Sequence, residues 1–254
     1  MKGWEESIEL FLRTWKGKSH VLGAILTGSY AIGLETKDSD INIHIITDNK
    51  TSWKERGHVT VNGHHISYFA TPFRQILKHL DHDRHLGRKV DATAFSRGVI
   101  LFDKTGVVEE LKDHAKKEME EPFPELEKSH VELYKASLHD GFVKLQSAYH
   151  DKTIGFSYAY HLYLDSIISI YARFLGCDLP HHEKLGTYLT DRAFQQRYGV
   201  KSLPDTRFKT LFKEALEQRA KTKQLDSARK LRNYVIRKMG GFDADNWHVR
   251  DRID

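Results

Sequence analysis

The chain has 254 residues, 39% hydrophobic and 30% charged, a globular composition that excludes a fibrous or disordered polymer. Its 40 basic and 35 acidic residues leave a net charge of +5, which suits a phosphate-bearing ligand but does not mark a nucleic-acid binder. The single cysteine, Cys177, excludes an internal disulfide framework. No apolar run nears the roughly 18 residues of a membrane span, and MKGWEESIEL lacks the order of a signal peptide, so a cytoplasmic protein with no membrane partner is expected.

Trp4, Ile8, Phe11, Leu12 and Trp15 recur at helical spacing and predict a helix over 4–16. VLGAILT at 21–27 has the length and apolarity of a buried strand, and Gly28-Ser29 punctuates it before a short helical stretch to about Leu34. DINIHII at 40–46 alternates, with Ile41, Ile43 and Ile45 on one face and Asp40, Asn42 and His44 on the other. HVTV and HHISYFA flank Asn62-Gly63, a two-residue hairpin signal. Pro72 suits the first turn of a helix carrying Phe73, Ile76, Leu77 and Leu80. GVILF at 98–102 predicts a further strand, followed past Gly106 by an amphipathic helix to about 119.

Mixed strands and helices of this kind predict an α+β domain over 1–120. The two prolines of EEPFPE make a boundary. Beyond it the pattern is helical, over about 125–150, 154–176, 183–197, 206–220 and 224–239, and predicts an all-α bundle over 121–254. Tyr158, Tyr160, Tyr163 and Tyr171 crowd one of these helices and suit a bundle core better than a ligand platform.

The chemistry concentrates at the first turn and the acidic strand after it. Backbone N–H groups at a tight Gly-Ser turn suit a phosphate, and the Ser29 hydroxyl adds a donor. Asp38, Asp40 and Asn42 share parity. Carboxylates two apart on a strand face can bridge Mg²⁺ ions that clamp an in-line phosphoryl displacement.

LTGSYAIGLETKDSDINIHII resembles the signature of the polymerase-β-type nucleotidyltransferase superfamily, more narrowly that of the small antibiotic-modifying (kanamycin/lincosamide-type) enzymes. Gly28, Ser29, Ala31, Gly33, Ser39 and Asp40 match the pattern without a gap. The resemblance implies a mixed sheet with flanking helices, nucleotide contacts at Gly28, Ser29 and Ser39, and catalytic metal ligands at Asp40 and neighbours. It also implies a magnesium–NTP substrate, a small-molecule hydroxyl acceptor and, since related enzymes often pair, a homodimer. The departures are specific. Ile32 stands for the family's Arg, Asn42 for its second carboxylate, and Ser67 falls where the third is expected. Asp38 is the alternative partner for Asp40 if the chain is extended there.

The histidines offer a rival site. His79, His82 and His85 fan over one helix, His64-His65 and His181-His182 are adjacent pairs, and His44 shares the strand face of Asp40 and could reach a ligand in the cleft. A general base is sought among Glu127, Glu132, Asp140 and Asp165 of the helical part. The segment 219–238 holds eight basic residues and one acid, Asp226, and reads first as a solvated helix face. Three functions stay open: an active nucleotidyltransferase, a silenced relative that binds nucleotide or a partner, and a nucleic-acid-associated protein.

Overall fold

The computed structural model describes residues 3–250. Residues up to Phe123, with Gln196–Val200, form one compact unit; Pro124–Gln195 and the residues from Lys201 form the other.

The first unit opens with α1 (Gly3–Lys16), which buries Ile8, Phe11, Leu12 and Trp15. Strands β1 (Val21–Thr27), β2 (Ile41–Thr47), β3 (Glu55–Val61), β4 (His64–Pro72) and β5 (Val99–Asp103) form one mixed sheet in the order β3-β4-β2-β1-β5. Strands β2 and β4 run parallel, and β3 between them in sequence supplies the return. Strand β2 begins one residue later than the alternation predicts, leaving Asp40 just before it.

The sheet is covered on both sides. Leu26, Ile41, Ile43, Ile45, Ile66 and Ala70 meet α1. Ile25 and Ile46 meet α3 (Phe73–His85), α4 (Val90–Arg97) and α5 (Val107–Glu120) through Ile76, Leu80, Phe95, Val108 and Leu111. Gly23 permits this close packing, since a Cβ there would lie 2.8 Å from the Phe102 carbonyl oxygen and 2.3 Å from a Val108 methyl. Helix α4 is absent from the sequence expectation. Its eight residues are too short for a periodic signal, and it is held by burying Ala92 and Phe95.

The second unit packs α6 (Lys128–His150), α7 (Phe156–Phe174), α10 (Thr206–Glu217) and α11 (Lys221–Lys238). Tyr160 and Tyr163 are buried, their hydroxyls donating to the carbonyls of Ala215 (2.7 Å) and Leu138 (2.6 Å); Tyr158 lies exposed. The helix expected over 183–197 is a short 3₁₀ turn and two helices, α8 (Leu185–Thr190) and α9 (Arg192–Tyr198). Asp191 breaks the run because its carboxylate accepts from the N–H groups of Ala193 and Phe194 and so starts a new helix.

Asp205 ties three helices. It caps α10 by accepting from the Phe208 N–H (2.9 Å), and accepts from the hydroxyls of Tyr171 on α7 (2.6 Å) and Tyr234 on α11 (2.8 Å). Burial works against its charge, yet these bonds hold its carboxyl below the usual range. Asp205→Ala removes the cap and leaves two phenols unpaired, and is expected to cost about 2–4 kcal/mol in urea unfolding. Asp205→Asn, which keeps an acceptor for the cap, should cost about half as much. Equal, near-zero losses would show that Asp205 does not join the helices.

No helix among the described residues is long and apolar enough to cross a membrane.

Candidate active site

The sheet register assembles a polar row across four strands. His58 pairs with Ser67, Ser67 with Asn42, and Asn42 with Thr27. Paired residues share a face, so these side chains stand side by side on the α3–α5 face. They lie one pair beyond His44 and Phe69, where Phe95 of α4 closes over the sheet.

At the β1 end of the row the chain turns. Gly28 has φ +71°, a left-handed conformation that favours glycine, and a Cβ there would approach Asn42 Nδ2 to 3.1 Å. Helix α2 (Gly28–Ile32) is a single turn closed by Gly33, whose N–H donates to the Ser29 carbonyl. Thr27 makes no side-chain cap, so its hydroxyl does not satisfy the first N–H groups of that turn.

At the other end lies a hydrogen-bonded chain. Ser67 Oγ donates to Asp40 Oδ2 at 3.1 Å, and His58 Nδ1 lies 2.9 Å from Ser67 Oγ. Ser67 is 4% exposed. Asn42 Nδ2 donates to the Asp40 carbonyl at 3.3 Å. Thus the structure brings together Asp40, Asn42, Ser67 and the Gly28 turn. His58 is an addition that the sequence reading passed over. The Asn62-Gly63 turn was its signal, because a two-residue hairpin fixes which residue faces Ser67.

Other candidates sit elsewhere. Asp38 is exposed in the turn before β2, not on the strand beside Asp40. Ser39 Oγ accepts from the Thr36 N–H (2.9 Å) and lies 3.1 Å from the Thr36 hydroxyl, bracing that loop. His44 is packed between Phe69 (5.0 Å, stacked) and Phe95 (4.8 Å, edge-on), and burial pushes its pKa down to about 4. It is a neutral packing residue at neutral pH.

His79 Nε2 meets Gln75 (3.1 Å), His85 meets the Asp81 carbonyl (2.9 Å) and His182 meets Asp165 (3.0 Å). Glu132 pairs with Lys135. Among the described residues no group of three or more His, Cys, Asp or Glu is placed to hold a metal ion. On α11, Leu225, Ala228, Leu231 and Val235 are buried, and Arg232 lies over the Phe142 ring at 4.4 Å.

The donor set decides what the row can hold. Two bridged Mg²⁺ ions need shared carboxylates, and Asn42 and Ser67 supply none. A single Mg²⁺ is commonly held by one or two carboxylates together with substrate phosphates, and Asp40 meets that need.

Comparison with known proteins agrees with the fold. Residues 8–123 match the family model of the nucleotidyltransferase domain. A nucleotidyltransferase-like protein from Exiguobacterium sibiricum 255-15 superposes with a TM-score of 0.50 at 14% identity, covering 93% of this chain and 75% of that one, a likeness of fold. No curated protein sequence matches the chain. Residues 8–123 are thus similar to a nucleotidyltransferase domain, in keeping with the motif of the first turn and the mixed sheet.

Proposed function

We propose that this domain binds a magnesium–nucleoside triphosphate, with phosphates at the Gly28-Ser29 turn and the cation on Asp40, and that two-metal transfer chemistry is silenced in it. The observation that carries this reading is the Ser67–Asp40 hydrogen bond beside Asn42. One carboxylate, held by the Ser67 hydroxyl, stands where the superfamily resemblance implies three acids, and Asn42 donates only to its backbone carbonyl. Asp40 would hold the ion, whose charge would offset that of the phosphates. Asn42 offers a neutral oxygen to the same neighbourhood, and the turn offers backbone N–H groups.

A second reading is supported by the same fixed carboxylate. A site that keeps Asp40 oriented could still transfer a nucleoside monophosphate to the hydroxyl of a small, antibiotic-like molecule. The acceptor oxygen would bond to the α-phosphorus as the bond to pyrophosphate breaks.

Calorimetric titration of ATP and GTP, with and without Mg²⁺, tests the binding reading. Wild type is expected to bind at least tenfold more weakly without Mg²⁺, and Asp40→Ala to bind as weakly in its presence, a loss of about 1.4 kcal/mol or more. Affinity indifferent to both Mg²⁺ and Asp40 would overturn it. Pyrophosphate release that depends on an added hydroxyl compound and on Asp40 would select the second reading.

A further inference from the structure

The proton directions along His58, Ser67 and Asp40 follow from elementary chemistry. An ionised carboxylate only accepts, so the Ser67 hydroxyl must donate to Asp40 Oδ2. That spends the single proton of Ser67. The 2.9 Å contact with His58 Nδ1 then requires the proton of the ring. Neutral His58 is therefore the Nδ1–H tautomer, with Nε2 bare on an exposed side chain. Neighbouring groups do not compete for Nδ1: Thr60, two residues along β3, lies 3.1 Å from His65 Nδ1. Ser67 is almost fully buried, so a hydroxyl there without its partners would be costly.

From this geometry we infer that His58 is a positioning residue for the nucleotide site. It holds Ser67 Oγ, and Ser67 in turn holds one oxygen of Asp40, leaving the other oxygen for a cation. The relay lets the protein orient its single carboxylate without placing further negative charge beside it. It is built into the hairpin, since the register of β3 and β4 sets His58 opposite Ser67. Partners that orient a metal-binding side chain in this way commonly change metal affinity by about 10–100-fold.

The relay is tested first on the free protein, independently of the nucleotide reading on which its role rests. Nitrogen-15 NMR at alkaline pH, where imidazole rings are neutral, reports the tautomer of His58. Nδ1–H is expected in wild type, and Ser67→Ala should abolish the preference. An Nε2–H ring, or the same tautomer in Ser67→Ala, would overturn the relay. The second test titrates MgATP. His58→Ala should weaken Mg²⁺-dependent binding about tenfold. His58→Asn, whose amide N–H occupies the place of Nδ1–H, should restore it, and His58→Gln should not. Wild-type affinity in His58→Ala, or no rescue by Asn, would overturn the positioning role. Absence of MgATP binding by wild type would defeat the nucleotide reading and the positioning role together, and the tautomer would still decide whether the relay exists.

Discussion

A variant carrying both Asn42→Asp and Ser67→Asp is expected to be less stable than wild type in chelator and to recover in millimolar Mg²⁺. Position 67 is 4% exposed and position 42 is its partner across the β2–β4 pair, with the Asp40 carboxylate 3.1 Å from Ser67 Oγ. Two further carboxylates would crowd like charges and remove the hydroxyl that Asp40 now accepts from. The apo protein should lose about 2 kcal/mol or more, a fall of several degrees in Tm. A divalent cation reverses the sign of that interaction, and Mg²⁺ affinity should rise at least tenfold over wild type. Thermal scans with and without Mg²⁺ read both effects. A Tm that ignores Mg²⁺ in the variant would mean that positions 40, 42 and 67 do not converge on a cation.

The second large effect concerns stability against pH. Burial between Phe69 and Phe95 pushes His44 down to about 4, whereas an unfolded histidine titrates near 6.5. Above about pH 6.5 both states are neutral at this residue and the full stability is present. As pH falls towards 4 the unfolded chain takes up a proton that the folded chain refuses. Stability should then fall, by roughly 3 kcal/mol at completion. His44→Leu keeps the packing and removes the proton. Its urea midpoint should decline less than that of wild type between pH 7 and pH 4. Parallel decline of the two proteins would show that His44 does not carry the acid sensitivity.

His44 also shows where sequence reading stops. The alternation of DINIHII correctly gives its face, shared with Asp40 and Asn42. Whether that face is wet depends on α4, whose eight residues give no periodic signal. Missing the helix that carries Phe95 left the half-buried packing of His44 between two rings unread. The other face was legible because Ile41, Ile43 and Ile45 and the stripe of α1 are both strongly apolar. Gly28 and Asp40 were legible for a different reason: a positive φ at the turn and a carboxylate at the start of a strand are carried by single residue types. Ser67 was placed by alignment, and its role came from a hydrogen bond 27 residues distant in sequence. Asp191 looks like any polar residue within a helical run until its carboxylate is seen to cap the next helix.

Among the described residues, strand β3 pairs only with β4 and forms one edge of the sheet. Its exposed positions carry Glu55, Arg56, His58 and Thr60. A bare strand edge invites pairing with another chain, and charged or polar side chains discourage it. The strand that orients the site therefore also guards the sheet against aggregation. Apolar replacements at position 58 would alter both properties at once, whereas Asn and Gln keep the edge polar, so that self-association and ligand affinity can be scored apart.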